Sequence, residues 1–241
     1  MIKIIPIKLD TEFVKGMDIA EIIINSFNLE EKDIIVIAHK IVSKVEGRVV
    51  KFDDIKPSSR AIELAKEHNK DARVVEVILN EAMNIIRASK GVIITETKHG
   101  FICANSAVDR SNVRDGLVLL PEDPDRSAFL IRKRIKELTD KDVAVIISDT
   151  FGRAFREGQV NVAIGICGIK PLKDYRGMRD PYDNELKVTN IAIVDELASA
   201  AELVMNKLDR TPIAVIRGYD YEISDCSINM LIRDKDRDLF R

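Results

Sequence analysis

The sequence predicts an α+β fold of mixed and antiparallel sheets with packed helices, not a Rossmann or P-loop architecture. Three observations carry that reading. The runs DIIVIA (Asp33 to Ala38) and VAVIIS (Val143 to Ser148) are almost continuously apolar and rich in β-branched residues, as buried strands are. Segments with apolar residues at helical spacing lie between such runs. Hairpin signals, as at His99-Gly100, break any steady βαβ rhythm, and neither GxGxxG nor GxxxxGK followed by Ser or Thr occurs.

In chain order, Ile2 to Ile7 reads as a strand. Asp18 is placed to cap a helix through Ile19, Ile22 and Ile23 to about Phe27. DIIVIA is the next strand. In HKIVSKVEGRVVKF, Gly47 separates two strand-like pieces. Pro57 and Ser58 open a helix to about His68, and Asp71 caps a longer one whose stripe runs through Val74, Val75, Ile78, Ala82, Ile85 and Ile86 until Gly91 stops it. GVIITETKHGFICAN reads as a hairpin. Val118 to Leu120 is a short strand ended by Pro121. PEDPDRSAFLIRKRIKELTD is a helix with acids at its start and bases towards its end, which suits the helix dipole. After VAVIIS, SDTFGRAFREGQ reads as a polar loop. VNVAIGICGI is a strand in which Gly165 and Gly168 mark bulges or close backbone approach. A polar stretch through KPLKDYRGMRDPYDNELKV precedes a helix from Ile191 to Leu208 and a last strand, Pro212 to Arg217.

Composition limits the function. The 241 residues fit one large domain or two small ones. Charged residues make up 32%, above the usual share of about 25%, yet the net charge is only -2. No global basic excess invites nucleic acid or an anionic membrane, and the absence of Trp argues against base-stacking platforms. The three cysteines form no CxxC pair, so a zinc site or disulfide framework is not expected and reduced thiols are. The opening MIKIIPIKLD lacks the apolar region of a signal peptide, and no apolar run approaches the ~20 residues of a membrane span. A cytoplasmic protein is the expectation.

Two constellations stand out. Ser148-Asp149-Thr150 closes a buried strand and precedes Gly152, Arg153 and Arg156. Asp149 and Thr150 are hard oxygen ligands suited to Mg²⁺ or Mn²⁺, and the arginines suit a phosphate or carboxylate. The same residues also serve a plain turn, with Asp149 capping amides and solvated arginines. Asn105 to Asn112 holds Asp109 and Asn112; Asp109 could complete a carboxylate pair with Asp149, or the stretch could be an Asx-turn loop. His39, Lys40 and Lys44, after DIIVIA, offer positive charge for phosphate, although exposed lysines are common and His39 reads most plainly as a surface histidine. His68 and His99 carry no visible partner.

The segments VSKVEGRVV, ICANSAVDRSNV, LLPEDPDRSA, VAVIISDTFGRAFREGQVNVAIGICGI, DYRGMRD and PIAVIRG resemble, in order, the coenzyme F420 gamma-glutamyl ligases, so that residues 1–241 read as one continuous family unit. The resemblance implies a GTP-dependent ligase joining L-glutamate to the phospholactyl carboxylate of a deazaflavin precursor. It implies Mn²⁺ or Mg²⁺, as two ions per site, with a monovalent cation as a further candidate. A homodimer of intertwined two-part subunits is also implied, with no nucleic acid or membrane partner. By position, Asp109, Asp149 and Thr150 correspond to metal ligands and Lys44 and Asn112 to nucleotide contacts; with Arg153 and Arg156 adding positive charge at phosphates or substrate carboxylates, Asp109, Asp149, Arg153 and Arg156 are the catalytic candidates. His39 and Lys40 stand where the family has small hydroxylic residues near the nucleotide. Its Gly-rich loop before the last strand is here MNKLDRTP, without glycine, and Asp10 to Phe13 matches another nucleotide segment poorly. Alternatives are a related amide-forming ligase with another carboxylate acceptor, and a non-catalytic nucleotide- or metal-binding homologue.

Overall fold

The computed structural model describes residues 1–238. Its strands are β1 (Lys3–Ile7), β2 (Ile34–Ala38), β3 (Val49–Val50), β4 (Ala82–Ser89), β5 (Val92–Thr97), β6 (Ile102–Ala104), β7 (Leu117–Val118), β8 (Ala144–Arg153), β9 (Arg156–Cys167), β10 (Leu172–Asp174), β11 (Asn190–Ala192) and β12 (Ile213–Arg217). The helices are α1 (Ile19–Ser26), α2 (His39–Glu46), α3 (Ser59–His68), α4 (Ala72–Glu81), α5 (Pro124–Thr139) and α6 (Ile193–Met205). Mixed and antiparallel sheets with packed helices make this an α+β protein, as the sequence predicts. No helix among the described residues is long and apolar enough to cross a membrane.

The main sheet has the order β1-β12-β2-β8-β9. Only β2 and β8 run parallel; the other pairs are antiparallel. Ile34, Ile35, Ile37, Ile146 and Ile147 are fully buried, which explains why these strands read as unbroken apolar runs rather than alternating ones. Helices α1, α5 and α6 cover the sheet and share its core through Ile23, Ile135, Val194 and Ala198. Pro6 is accommodated because β1 is an edge strand. The opposite edge, β9, is protected by acids from two helices: Asp195 of α6 accepts from the Ala163 amide (2.9 Å) and Asp125 of α5 from the Ile166 amide (2.7 Å). Smaller apolar clusters lie under α3 and α4 and around Phe52, beside the antiparallel sheet β4-β5-β6.

The structure corrects the sequence reading in four places. HKIVSKVEG is helix α2, not strand: Gly47, at φ 81°, is its left-handed C-cap, and burial of Ile41 and Val42 with polar residues outside gives it an amphipathic face. The helix capped by Asp71 ends at Glu81, and Ala82 onward is strand β4, because Ile85 is drawn into pairing with Thr95. SDTFGRAFREGQ is not a loop; it forms the arms of the β8–β9 hairpin, paired as far as Arg153 and Arg156. Helix α6 is shorter at both ends than its apolar stripe suggested.

A bulge sits between the pairs Ile147–Gly165 and Ser148–Ala163, next to the end of the buried part of β8. Gly165 is required for packing as well: a Cβ there would lie 2.5 Å from the Pro124 carbonyl carbon, at the start of α5. Gly165→Ala should therefore cost about 1–3 kcal/mol in overpacking, read as a lowered urea midpoint.

Candidate active site

Because β2 and β8 are parallel neighbours in the register Ala38–Ser148, the residues that follow them, His39 and Asp149, emerge side by side. His39 is 2% exposed and opens α2. Its Nε2 lies 3.2 Å from Asp149 Oδ1, off the line of a hydrogen bond, and its Nδ1 lies 3.4 Å from Ser43 Oγ. A surface histidine was the plainer expectation from sequence; burial under the strand ends replaces it. The next residue, Lys40, faces the other acid: its Nζ is 2.6 Å from Asp109 Oδ2 and donates to Ser111 Oγ at 2.5 Å. One dipeptide at the N-terminus of α2 thus touches both predicted carboxylates.

Asp109 is held by the chain as well as by Lys40. Its backbone pairs with Val118 in both directions, at 3.0 and 2.8 Å, and its Oδ1 accepts from the Ser111 amide at 2.6 Å. Ahead of it, Asn105, Ser106 and Ala107 all have φ between 52° and 56°, a left-handed turn costly for non-glycine residues. Buried Ser106 offsets that cost: its hydroxyl donates to Ile78 O (2.9 Å) and its amide donates to Thr95 Oγ1 (3.0 Å). Thr150 donates to Asn161 Oδ1 at 2.8 Å and accepts from Lys207 at 2.8 Å. Lys207 was not singled out in the sequence; it comes from the glycine-free stretch MNKLDRTP. Buried Asn161 was missed too, hidden in an otherwise apolar strand.

The remaining residues are placed as follows. Lys44 is half-buried on α2, and its burial lowers its pKa, with Glu12 opposing and Lys40 reinforcing the shift. Asn112 is exposed on the Asp109 loop at φ 62°, its amide 3.4 Å from Ser111 Oγ. Arg153 and Arg156 are at the hairpin tip, where Arg153 donates to the Glu157 and Gly158 carbonyls; the chain does not bring them to Asp149. His99 has a partner after all, its Nε2 lying 3.0 Å from Pro121 O, and His68 lies 3.8 Å from Glu67. The early loop at Asp10 and the loop at Leu208 to Thr211 meet across a cleft of about 530 Å³.

The electrostatics separate the groups. Withdrawal of Asp109 from solvent alone would raise its pKa. The Lys40 ammonium and the Ser111 amide and hydroxyl outweigh that effect and hold the carboxyl below its usual range. Such a depressed acid stabilises the fold above its ordinary pKa, and the contribution is lost as pH falls through the folded value. Burial, with the Asp149 charge adding, pushes the Cys103 thiol up to about 12, so it is inert as a nucleophile at neutral pH.

The donor set fits a hard divalent cation: two carboxylates and a hydroxyl, with a lysine ammonium already drawn to one of the acids. No group of three or more acidic, His or Cys side chains placed to hold a metal ion gathers among the described residues.

A family profile described as F420-0:Gamma-glutamyl ligase matches residues 8–218, a span from just after β1 to the end of β12. The chain belongs to this family. It is 51% identical over 220 residues to the coenzyme F420:L-glutamate ligase of Methanocaldococcus jannaschii, covering 91% of this chain and 88% of that one. Identity to the Methanopyrus kandleri protein of the same name is 49% over 246 residues, covering 100% and 98%. With the Archaeoglobus fulgidus protein of that name it is 39% over 229 residues, covering 94% and 91%. Every candidate site residue of this member of the gamma-glutamyl ligase family lies within the matched span.

In metal-free protein, Lys40→Met should raise the Asp109 pKa, because burial then meets opposition only from Ser111. Carboxyl ¹³C shifts followed through an acid titration would report it, and an unmoved value would mean that Lys40 does not set the charge of this acid.

Proposed function

We propose that this protein is a ligase that adds L-glutamate to the phospholactyl carboxylate of the deazaflavin coenzyme F420 precursor, at the expense of GTP. Family membership supports the reaction class. The observation that carries the site is the contact of His39 with Asp149, set by the β2–β8 register, together with that of Lys40 with Asp109, whose backbone is held by Val118.

A carboxylate resists amine attack because its oxygen is a poor leaving group. Transfer of the terminal phosphoryl group of GTP to that oxygen yields GDP and an acyl phosphate. The glutamate amine then attacks the acyl carbon, the C–O bond to phosphate breaks, and phosphate leaves with the electron pair as the amine gives up a proton. The uncapped N-terminus of α2 supplies amides for phosphate oxygens, and Lys40, Lys44 and Lys207 supply positive charge around them. The cleft between Asp10 and Leu208 to Thr211 is the natural place for the nucleoside. Asp109, Asp149 and Thr150 would hold Mn²⁺ or Mg²⁺, which supplies charge neutralisation at the phosphates when bound. Lys40 would then move from Asp109 towards phosphate. Arg153 and Arg156 would act only where the hairpin tip meets a substrate or a second subunit.

The small sheet leaves Met83, Ile86, Val92 and Ile102 exposed at 38–65%, with β4 as its edge. We take this face as the contact of a homodimer. Ile86→Glu should shift the protein towards monomer in sedimentation velocity, and an unchanged dimer would remove this face from the interface.

The reaction is tested by mass spectrometry of the glutamate-free coenzyme incubated with L-glutamate, GTP and Mn²⁺. The expected result is a mass increase of one or more glutamyl units with GDP formed in step. Asp149→Ala should lower turnover by about 100-fold or more while the protein stays folded, since several kcal/mol of charge stabilisation is lost at ~1.4 kcal/mol per tenfold. Near-normal turnover of that variant would sink the site assignment.

A further inference from the structure

Beside the Asp109 loop lies a second cleft, of about 360 Å³, whose wall includes Phe52, Asp53, Arg73, Arg110, Arg114 and Asp115. We infer that this cleft is the L-glutamate subsite, with Arg110 and Arg114 taking the two carboxylates and Asp53 and Asp115 complementing the ammonium. The inference rests on the ligase reading above and gives a role to residues that had none in it.

The wall selects against the other substrates. Phe52 is its aromatic group, and that ring is 8% exposed and covered by two guanidinia, Arg73 at 4.7 Å and Arg110 at 4.9 Å from its centroid. No aromatic face is left for a deazaflavin or a guanine to stack on. The space suits a small, charged molecule instead.

The three arginines are not equivalent. Arg73 is committed to Asp71 through two parallel bonds of 3.1 and 2.7 Å, and this pair anchors the stack on Phe52. Arg110 has no ion pair within 4.0 Å among the described residues, and Arg114, 91% exposed, reaches only Glu12, at 3.6 Å. Two guanidinia therefore remain available for two carboxylates, the number L-glutamate carries. Asp53 and Asp115 would repel a dicarboxylate without an amine, or a polyphosphate, and favour an amino acid.

The position is right for the reaction. The Asp109–Val118 backbone pair closes the intervening loop, so Arg110 and Arg114 share one short segment with the Asp109–Lys40 pair. The base of that segment is fixed at Gly116, whose φ of 148° and whose Cβ position, 2.5 Å from the Val50 carbonyl oxygen, admit only glycine. An amino acid held by its carboxylates here keeps its nitrogen at Asp53 and Asp115, and Asp115 lies on the same loop as Asp109.

The test uses the full chain and the exposed substitutions Arg110→Gln and Arg114→Gln, singly and together, with thermal melting as a check on folding. Each should raise the KM for L-glutamate roughly 10- to 100-fold, the loss expected for a charge-assisted hydrogen bond, with the KM values for GTP and the coenzyme acceptor unchanged. An unchanged glutamate KM, or an equal rise in all three, overturns the assignment. If the wild-type protein shows no ligation at all, the ligase reading has failed on its own, and saturation-transfer NMR of L-glutamate still decides the subsite. A signal present with wild type and lost in the double variant supports it. A signal unaffected by the substitutions, or absent with wild type, overturns it.

Discussion

Two parallel strands leave a sheet on the same side, and the meeting of His39 with Asp149 depends on the one parallel pair among the described residues. In an antiparallel pair the residues after Ala38 and after Ser148 would exit at opposite ends of the strands. Parallel pairing in the register Ala38–Ser148 puts His39 and Asp149 at one exit. The strands holding that register are buried on both faces, where a slip would cost many apolar contacts, so the site inherits the rigidity of the core. The bulge beside Ser148 shifts the β8–β9 register just before Asp149, and Asp195 binds the Ala163 amide next to it.

The site stores charge rather than strain. Lys40 and Asp109 neutralise each other at 2.6 Å in a partly exposed place, a contact worth little to stability but easily exchanged for a ligand. His39, buried and imperfectly aligned with Asp149, is the opposite case: a polar group kept in place by the surrounding chain without a good partner of its own. Asp33 is a buried charge that is met: 0% exposed, it receives two bonds from Arg217, at 2.8 and 2.7 Å, on the neighbouring strand region.

Much of this was legible in the residues. The buried strands announced themselves as β-branched runs, the caps Asp18, Ser58 and Asp71 formed where they were expected, and Asp109 and Asp149 stood out as acids following strands. What could not be read was pairing. Nothing local distinguishes the polar hairpin arms Asp149 to Gln159 from a loop, since their strand character comes from the partner strand. Nothing local ends α4 at Glu81, because the apolar stripe continues and only the pull of β5 converts it to strand. His39 read as a surface residue because its burial is created by distant segments. Asn161 and Lys207 were invisible for the same reason, being polar residues whose meaning appears only when β9 and the loop after α6 close on Thr150.

That loop shows how a missing glycine can be answered chemically. Asn206 holds φ 50° and ψ -170°, a conformation natural to glycine, and Arg210 holds φ 52°. Such strain costs on the order of 1–3 kcal/mol per residue, and the loop offsets it with local bonds. Asn206 donates to Asp209 at 2.8 Å, Thr211 donates to the Met205 carbonyl at 2.5 Å, and the Leu9 amide donates to Arg210 O at 2.8 Å. A glycine loop meets phosphate by letting the backbone come close; this one keeps the turn and sends a side chain, placing the Lys207 ammonium 2.8 Å from Thr150 Oγ1. A lysine acts on phosphate as a point charge of adjustable reach, whereas backbone amides act in fixed directions. The loop thus sets a side-chain ammonium, rather than a row of backbone amides, beside Thr150.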